Sequence, residues 1–359
     1  MTKKKVAILF GGRSVEHGVS INSAKNILEF IDHDRFEPVP IGISTDGKWY
    51  LTKSVSKDIE QGEPVTLTLN PGKPEWTAGG KTFTIDVAFP VLHGTDGEDG
   101  SVQGLFKAMA IPMVGTGVLG SSVSMNKLTS KRLLKQANIP VSQFLSFSYA
   151  EKSSMSFESI SKELGLPFMV KATSLGSSVG ISKVKSKEDF LPAVEDAFRY
   201  DNHVLVEKYI KGREIECAIL GNDPPQASLP GEIVISDRYE FYTFDAKYVD
   251  KTAVEIKVPA EGLPPKVQDE IRDLSVKAYQ ALHCEDFARV DVFLADDGKV
   301  YINEINTIPG FTNSSMYPMM WKERGMSFTD LITKLVDLCL QRDEKSKRIQ
   351  TDFKSSLKF

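Results

Sequence analysis

The sequence predicts a chain of mixed α/β and α+β architecture, and three observations carry that reading. Residues 6–10, 14–30 and 39–43 give strand, helix and strand signals in turn, the start of a βαβ unit and hence of a parallel sheet. A glycine/serine loop, Ser174-Leu175-Gly176-Ser177-Ser178-Val179-Gly180, sits between short apolar runs in a middle segment of mixed strands and helices. Residues 286–316 read as a hairpin turning at Asp296-Asp297-Gly298, because Asp-Gly between alternating apolar runs is a strong hairpin signal. A length of 359 residues allows two or three domains and a large core.

In chain order, Gly11-Gly12 ends the first strand. The helix over 14–30 follows, with Ile21, Ala24, Ile27, Leu28 and Ile31 as its apolar stripe and Ser20 as a possible later cap. Residues 45–85 read as turns and short antiparallel strands. A buried strand over 85–90 runs into Leu92-His93-Gly94-Thr95-Asp96-Gly97-Glu98-Asp99-Gly100, a helix covers 101–109, and a short strand 113–114. A helix over 124–137 opens the middle segment, followed by a helix at 155–165, strands at 168–171 and 181–184, a serine-capped helix at 186–198 and a strand at 204–207. The last segment begins at Lys208, with a strand at 213–220. Residues 236–254 are a polar, aromatic stretch too long for a plain connector and hence a candidate lid. A helix over 264–282, the hairpin and a helix over 328–341 follow, and the charged stretch over 342–359 is expected to fray.

Composition excludes several classes. Net charge is −4, without the basic stripe of a nucleic-acid binder. Cys217, Cys284 and Cys339 form neither a metal spacing nor a disulfide framework, as in a reducing compartment. The apolar run after Lys3-Lys4-Lys5 is too short for a signal peptide, and no stretch approaches the ~20 residues of a membrane span. A cytoplasmic protein is expected.

The chemistry concentrates in a few places. On the first hairpin strand Arg289 and Asp291 share one face, while Val290, Val292 and Leu294 point the other way; on the second, Glu304 and Asn306 share a face. Two carboxylates and an amide oxygen suit a hard cation such as Mg²⁺, although a solvated Arg–Asp face would show the same pattern. The 174–180 loop could cradle a phosphate in its backbone N–H groups, with Lys171 beside it, or be an ordinary turn; it is not a P-loop. Glu207 follows a buried strand where an inter-domain slot could hold a purine, and Glu214 could reach a ribose, although an ordinary strand exit with solvated charges would show the same pattern. Gly11-Gly12-Arg13-Ser14-Val15-Glu16-His17 lacks the spaced third glycine of a dinucleotide fingerprint. Glu16 either complements a helix start or binds an ammonium group. His17 and His93 suggest packing or substrate orientation before metal.

Taken in order, these segments resemble the D-alanine–D-alanine ligases, of the ATP-grasp fold. The resemblance rests on Gly11-Gly12-Arg-Ser-Val-Glu16, Leu92-His93-Gly-x-x-Gly-Glu-Asp-Gly100, Met125-Asn126-Lys127, Gly176-Ser-Ser-Val-Gly180, Glu207-Lys208, Tyr242 to Tyr248, Arg289-Val-Asp291 and Asn303-Glu304-Ile-Asn306-Thr-x-Pro-Gly310. It implies an N-terminal parallel-sheet domain (1–118), a central ATP-grasp lobe (119–206), a C-terminal lobe (207–345) and a tail (346–359), with ATP sandwiched between the lobes. It implies Lys127, Lys171, Ser178 and Lys247 at the nucleotide, with Glu207, Lys208, Ile210 and Glu214 around adenine and ribose. Asp291, Glu304 and Asn306 would hold two Mg²⁺, with Mn²⁺ as a possible substitute. Glu16 would form a network with Ser177 and Tyr248 at the first D-alanine, near His93. Arg289 and Gly310 would donate to the oxyanion, and Ser315 with Met316 would receive the second D-alanine. A homodimer is implied by the resemblance alone. Ala172 and Met316 depart from residues common in the family, proline and leucine, in ways expected to cost little. Tyr248, where depsipeptide-forming relatives tend to carry histidine, points to an amine as second substrate. Open alternatives are a D-alanine–D-lactate ligase, another ATP-grasp carboxylate–amine ligase, a regulatory nucleotide-binding module and a dehydrogenase.

Overall fold

The computed structural model describes residues 2–71, 74–177, 179–236, 238–239, 250 and 252–350. Strands β1 (Lys4–Gly11), β2 (Phe36–Ile43), β3 (Trp49–Leu51), β4 (Glu63–Leu67), β5 (Trp76–Ala78), β6 (Lys81–Phe83) and β7 (Val87–Pro90) form one sheet, in the order β6-β5-β4-β3-β2-β1-β7. β1 pairs in parallel with both β2 and β7, as the βαβ reading requires. The segment over 45–85 adds the antiparallel strands β3 to β6 to the far edge. Val6–Phe10 are wholly buried because both faces are covered, which is why this strand reads as an unbroken apolar run. On one side lies helix α1 (His17–Phe30) with Ile21, Ala24 and Ile27; on the other, α2 (Ser101–Ala108) with Val102 and Phe106.

Two helix expectations change. The helix expected from Ser14 begins at His17, after a turn in which His17 N–H donates to Ser14 O at 3.1 Å. Ser20 caps nothing: it is buried inside α1, accepting from Gly11 N–H at 2.9 Å and donating to the carbonyl of Val91. The helix expected over 124–137 is two helices, α3 (Val118–Met125) and α4 (Lys127–Gln136). Asn126 breaks them apart. Its backbone is extended and its side chain accepts from Thr129 N–H at 2.8 Å, the competition with helical bonding that makes asparagine a cap.

The middle segment forms a second sheet from β8 (Phe144–Ser148), β9 (Phe168–Ala172), β10 (Ile181–Val184) and β11 (His203–Lys208), in the order β10-β9-β11-β8. Helices α5 (Phe157–Leu164) and α6 (Lys187–Tyr200) cover one face, packing Ile160, Phe190 and Val194 against Phe168, Val170, Val204 and Val206. Each such buried side chain contributes ~1.5–3 kcal/mol.

The third sheet holds β12 (Gly212–Leu220), β13 (Gln226–Ala227), β14 (Gly231–Ile235), β15 (Val254–Lys257), β16 (Phe287–Ala295) and β17 (Val300–Asn306), in the order β15-β14-β12-β16-β17 with β13 on β12. Helix α7 (Pro265–Ala281) packs Ile271 and Ala278 on its apolar face. Helices α8 (Met316–Lys322) and α9 (Phe328–Ser346) join the core of the first sheet through Tyr317, Trp321, Leu331 and Leu335. α9 runs beyond the expected end at residue 341, because Arg342 is anchored in the protein and Lys347 pairs with Asp343 at 2.5 Å.

Candidate active site

The period of the strands decides which side chains reach the interior of the cleft. On β16 the alternation is as expected: Val290, Val292 and Leu294 are buried, and Arg289 and Asp291 lie half-buried on the opposite face. Pairing aligns Glu216 of β12, Asp291 of β16 and Glu304 of β17 in one row across three neighbouring strands. Adjacent carboxylates repel, so cations must sit among them. Arg289 does this with two 2.7 Å bonds to Asp291 and a 3.1 Å contact to Glu216. Lys127 Nζ meets Glu304 Oε2 at 2.9 Å, and Asn306 donates to Asp291 at 2.9 Å.

The central sheet contributes its other face. Leu205 lies opposite Lys171 and Glu207 opposite Met169, so all four project away from α5 and α6. Lys171 pairs with Glu207. Lys127, Lys171, Ser177, Glu207, Lys208, Ile210 and Glu214 line one cleft together with Arg289, Asp291 and Glu304. Lys127, Ser177, Arg289 and Glu304 also border an adjoining cavity, whose walls include Glu16, His93, Asn306, Gly310, Ser315 and Met316.

The loop after β17 is held by the first sheet. Ile308 O can only accept, so His93 donates to it from Nδ1 at 2.8 Å, and Nε2 accepts from Ser23 Oγ at 3.0 Å. Ser23 Oγ in turn accepts from Phe311 N–H at 3.2 Å. Burial lowers the His93 pKa and keeps the ring neutral. His93 thus borders the cavity while both ring nitrogens serve the loop. Glu98 accepts from Gly94 and Ile308 N–H at 2.9 and 3.2 Å. Glu16 enters from the turn before α1, and a Cβ at Gly176 would lie 3.5 Å from its Oε2, so the first domain and the glycine/serine loop meet there. Ser177 occupies the left-handed region at φ +54°, a strained position of the kind that collects at functional sites. Ser315 Oγ accepts from Thr312 N–H at 3.0 Å, and a Cβ on Gly310 would lie 3.2 Å from it.

Family models for the N- and C-terminal parts of D-Ala–D-Ala ligase match residues 5–116 and 133–337. The chain belongs to the D-alanine–D-alanine ligase family. It is 47% identical to a D-alanine–D-alanine ligase of Shouchella clausii, over 98% of each chain. It is 45% identical to D-alanine–D-alanine ligase A of Escherichia coli K12, over 98% of this chain and 100% of that one. Among solved structures, the D-alanine–D-alanine ligase of Coxiella burnetii superposes with TM-score 0.84 at 35% identity, covering 96% and 98% of the two chains. The VanG D-Ala:D-Ser ligase of Enterococcus faecalis superposes with TM-score 0.85 at 35% identity, covering 94% and 100%. The ATP-grasp architecture and the enzyme class follow, and with them the use of ATP and a divalent metal. No helix among the described residues is long and apolar enough to cross a membrane.

Within this ligase, the donor set fits a hard cation: Asp291 and Glu304 face each other across β16 and β17, with Asn306 bonded to Asp291. Among the described residues no group of three His, Cys, Asp or Glu side chains forms a metal cage. Ser178, Lys247 and Tyr248 lie outside the described residues, as does most of the candidate lid over 236–254. Sequence reasoning missed Glu216, Ser23 and the buried Lys131, which binds Glu207 at 2.9 Å. Both lysine and glutamate had a signal: Lys131 follows Lys127 by one helical turn, and Glu216 shares a strand face with Glu214.

Proposed function

We propose that this enzyme joins two D-alanine molecules in two chemical steps at the junction of the cleft and the cavity, for peptidoglycan precursor synthesis. The observation that carries the reading is the shared wall. Lys127, Ser177, Arg289 and Glu304 border both spaces, so a nucleotide held along Lys171 and Glu207 would present its terminal phosphate to a polar chamber.

A carboxylate oxygen of the first D-alanine attacks the γ-phosphorus, the bond to the β-phosphate oxygen breaks, and ADP leaves. The second D-alanine, after its ammonium loses a proton, attacks the carbonyl carbon of the D-alanyl phosphate, and inorganic phosphate departs. Lys127 and Lys171 steady the phosphates, a role assigned also to Lys247 and Ser178. The Lys208–Ile210 backbone, Glu207 and Glu214 take adenine and ribose. Glu16 holds the first ammonium with Ser177 and Tyr248, while His93 sets the Ile308 loop beneath the first carboxylate. Arg289 and the Gly310 amide stabilise the oxyanion, and Ser315 with Met316 holds the second carboxylate. Asp291, Glu304 and Asn306 would hold two Mg²⁺, or Mn²⁺ in their place, which neutralise phosphate charge when bound. Positioning and charge stabilisation supply most of the rate.

The reading extends to a cytoplasmic homodimer divided at residues 118, 206 and 345. Its test is phosphate release from ATP and Mg²⁺ with D-alanine, in parallel with L-alanine and with D-alanine plus D-lactate or D-serine, products resolved by mass. D-alanyl-D-alanine as the main product is expected. A depsipeptide or a D-alanyl-D-serine product would overturn the second-substrate assignment, and no release with any amino acid would overturn the ligase reading.

A further inference from the structure

Lys127 and Lys131 stand one turn apart on α4, so their side chains leave the same face of the helix. They reach different lobes. Lys127 goes to Glu304 on β17, and Lys131 goes to Glu207 Oε2 on β11, each at 2.9 Å. Lys127 borders the cleft. Lys131 is only 1% exposed and lies behind it.

The Glu207 carboxylate is bound on both sides. Lys171 takes Oε1 from the cleft side. On the far side the Ser142 hydroxyl donates to Oε2 at 2.7 Å and accepts from Lys131 Nζ at 3.1 Å. One buried carboxylate therefore faces two amines, an excess of one positive charge with both protonated; burial lowers the Lys131 pKa, and the Glu207 charge opposes that. Burial opposes ionisation of Glu207, but Lys131 and Lys171 outweigh it and hold the carboxyl well below the usual range. A buried excess charge is costly until an anion compensates it. Of the two lysines only Lys171 opens onto the cleft. Without Lys131, Lys171 and Glu207 would form a closed neutral pair with no charge left for a phosphate.

We propose that Lys131 is a positioning residue for the nucleotide: by neutralising Glu207 from behind, it leaves the Lys171 ammonium available to the phosphates. It touches no substrate and acts through Glu207. The inference rests on the nucleotide-binding half of the function proposed above.

The test is Lys131→Met in the full-length enzyme, which keeps the apolar stem and removes the charge. The expected result is an about tenfold rise in KM for ATP with each D-alanine KM within about twofold of wild type. Binding of a fluorescent ATP analogue with Mg²⁺, without D-alanine, should weaken by a similar factor. Unchanged nucleotide binding by a variant that melts cooperatively overturns the proposal. So does a parallel rise in all three KM values, the mark of a general structural defect. If Lys131→Met does not fold, Lys131→Gln carries the test, since it also removes the charge but keeps a hydrogen-bond donor toward Glu207. About threefold weaker nucleotide binding is then expected, and unchanged binding overturns the proposal. Wild-type protein that binds the analogue yet forms no dipeptide fails the ligase reading alone.

Discussion

Arg289 grips Asp291, two residues along the same strand, through a pair of 2.7 Å hydrogen bonds, and touches Glu216 on the next strand at 3.1 Å. The forked contact orients the guanidinium where the cleft meets the adjoining cavity. It also places a permanent cation among three aligned carboxylates.

Arg289→Lys keeps the charge and loses the fork. The kcat should fall about 10²–10³-fold, as when an oxyanion donor is removed, with KM for ATP little changed. Steady-state kinetics with ATP and D-alanine varied in turn checks this. A loss confined to KM would assign Arg289 to binding.

Gly231 faces Met316. A Cβ at that position would lie 2.6 Å from Met316 Sδ, so Gly231→Ala must push the side chain beside Ser315. The KM of the second D-alanine should rise about tenfold while that for ATP stays within about twofold, since small displacements at a positioned substrate are costly. Resolving the two D-alanine constants tests it.

Glu98 has its carboxyl pKa pushed up to about 7, first by burial and then by the nearby Glu16. A carboxyl raised from 4.5 favours the folded state while protonated, so its contribution is full below 4.5 and lost as pH rises through about 7. Glu98→Gln should therefore gain stability relative to wild type across that window and level off above it. Denaturant midpoints of both proteins at about pH 5, 6, 7 and 8 give the answer. A flat difference would place the Glu98 carboxyl at its ordinary value.

Arg342 joins the last helix to the rest of the molecule. Its guanidinium meets the fully buried Asp286 at 2.8 Å and donates to the carbonyls of Met113 and Gly115 at 2.7 and 3.0 Å. Arg342→Met leaves the Asp286 charge, among the described residues, with only Gly115 N–H and the Asn222 amide as hydrogen-bond donors. The expected cost is about 3–5 kcal/mol in urea unfolding. Asp286→Asn added to Arg342→Met should recover part of it, because the stranded charge is then removed.

Local chemistry made much of this protein readable from residues alone. The βαβ start, the Asp-Gly hairpin and the face shared by Arg289 and Asp291 follow from apolar periodicity and turn residues, which act over a few positions. The same holds for the glycine/serine loop and for the order of the family motifs. Asn126 shows the limit of periodicity: its helix-breaking cap lies inside a pattern that otherwise reads as one helix. Arg342 shows the limit of composition, since a charged stretch that looks like a fraying tail holds a buried carboxylate. What the tertiary structure alone decided depends on contacts between distant segments. Strand register set Glu216 beside Asp291, helix placement put Lys131 behind Glu207, and packing of the 308–311 loop on the first sheet committed both nitrogens of His93 to protein partners. Such pairings are long-range, and a charge's partner and burial become fixed only once the sheets and helices have packed.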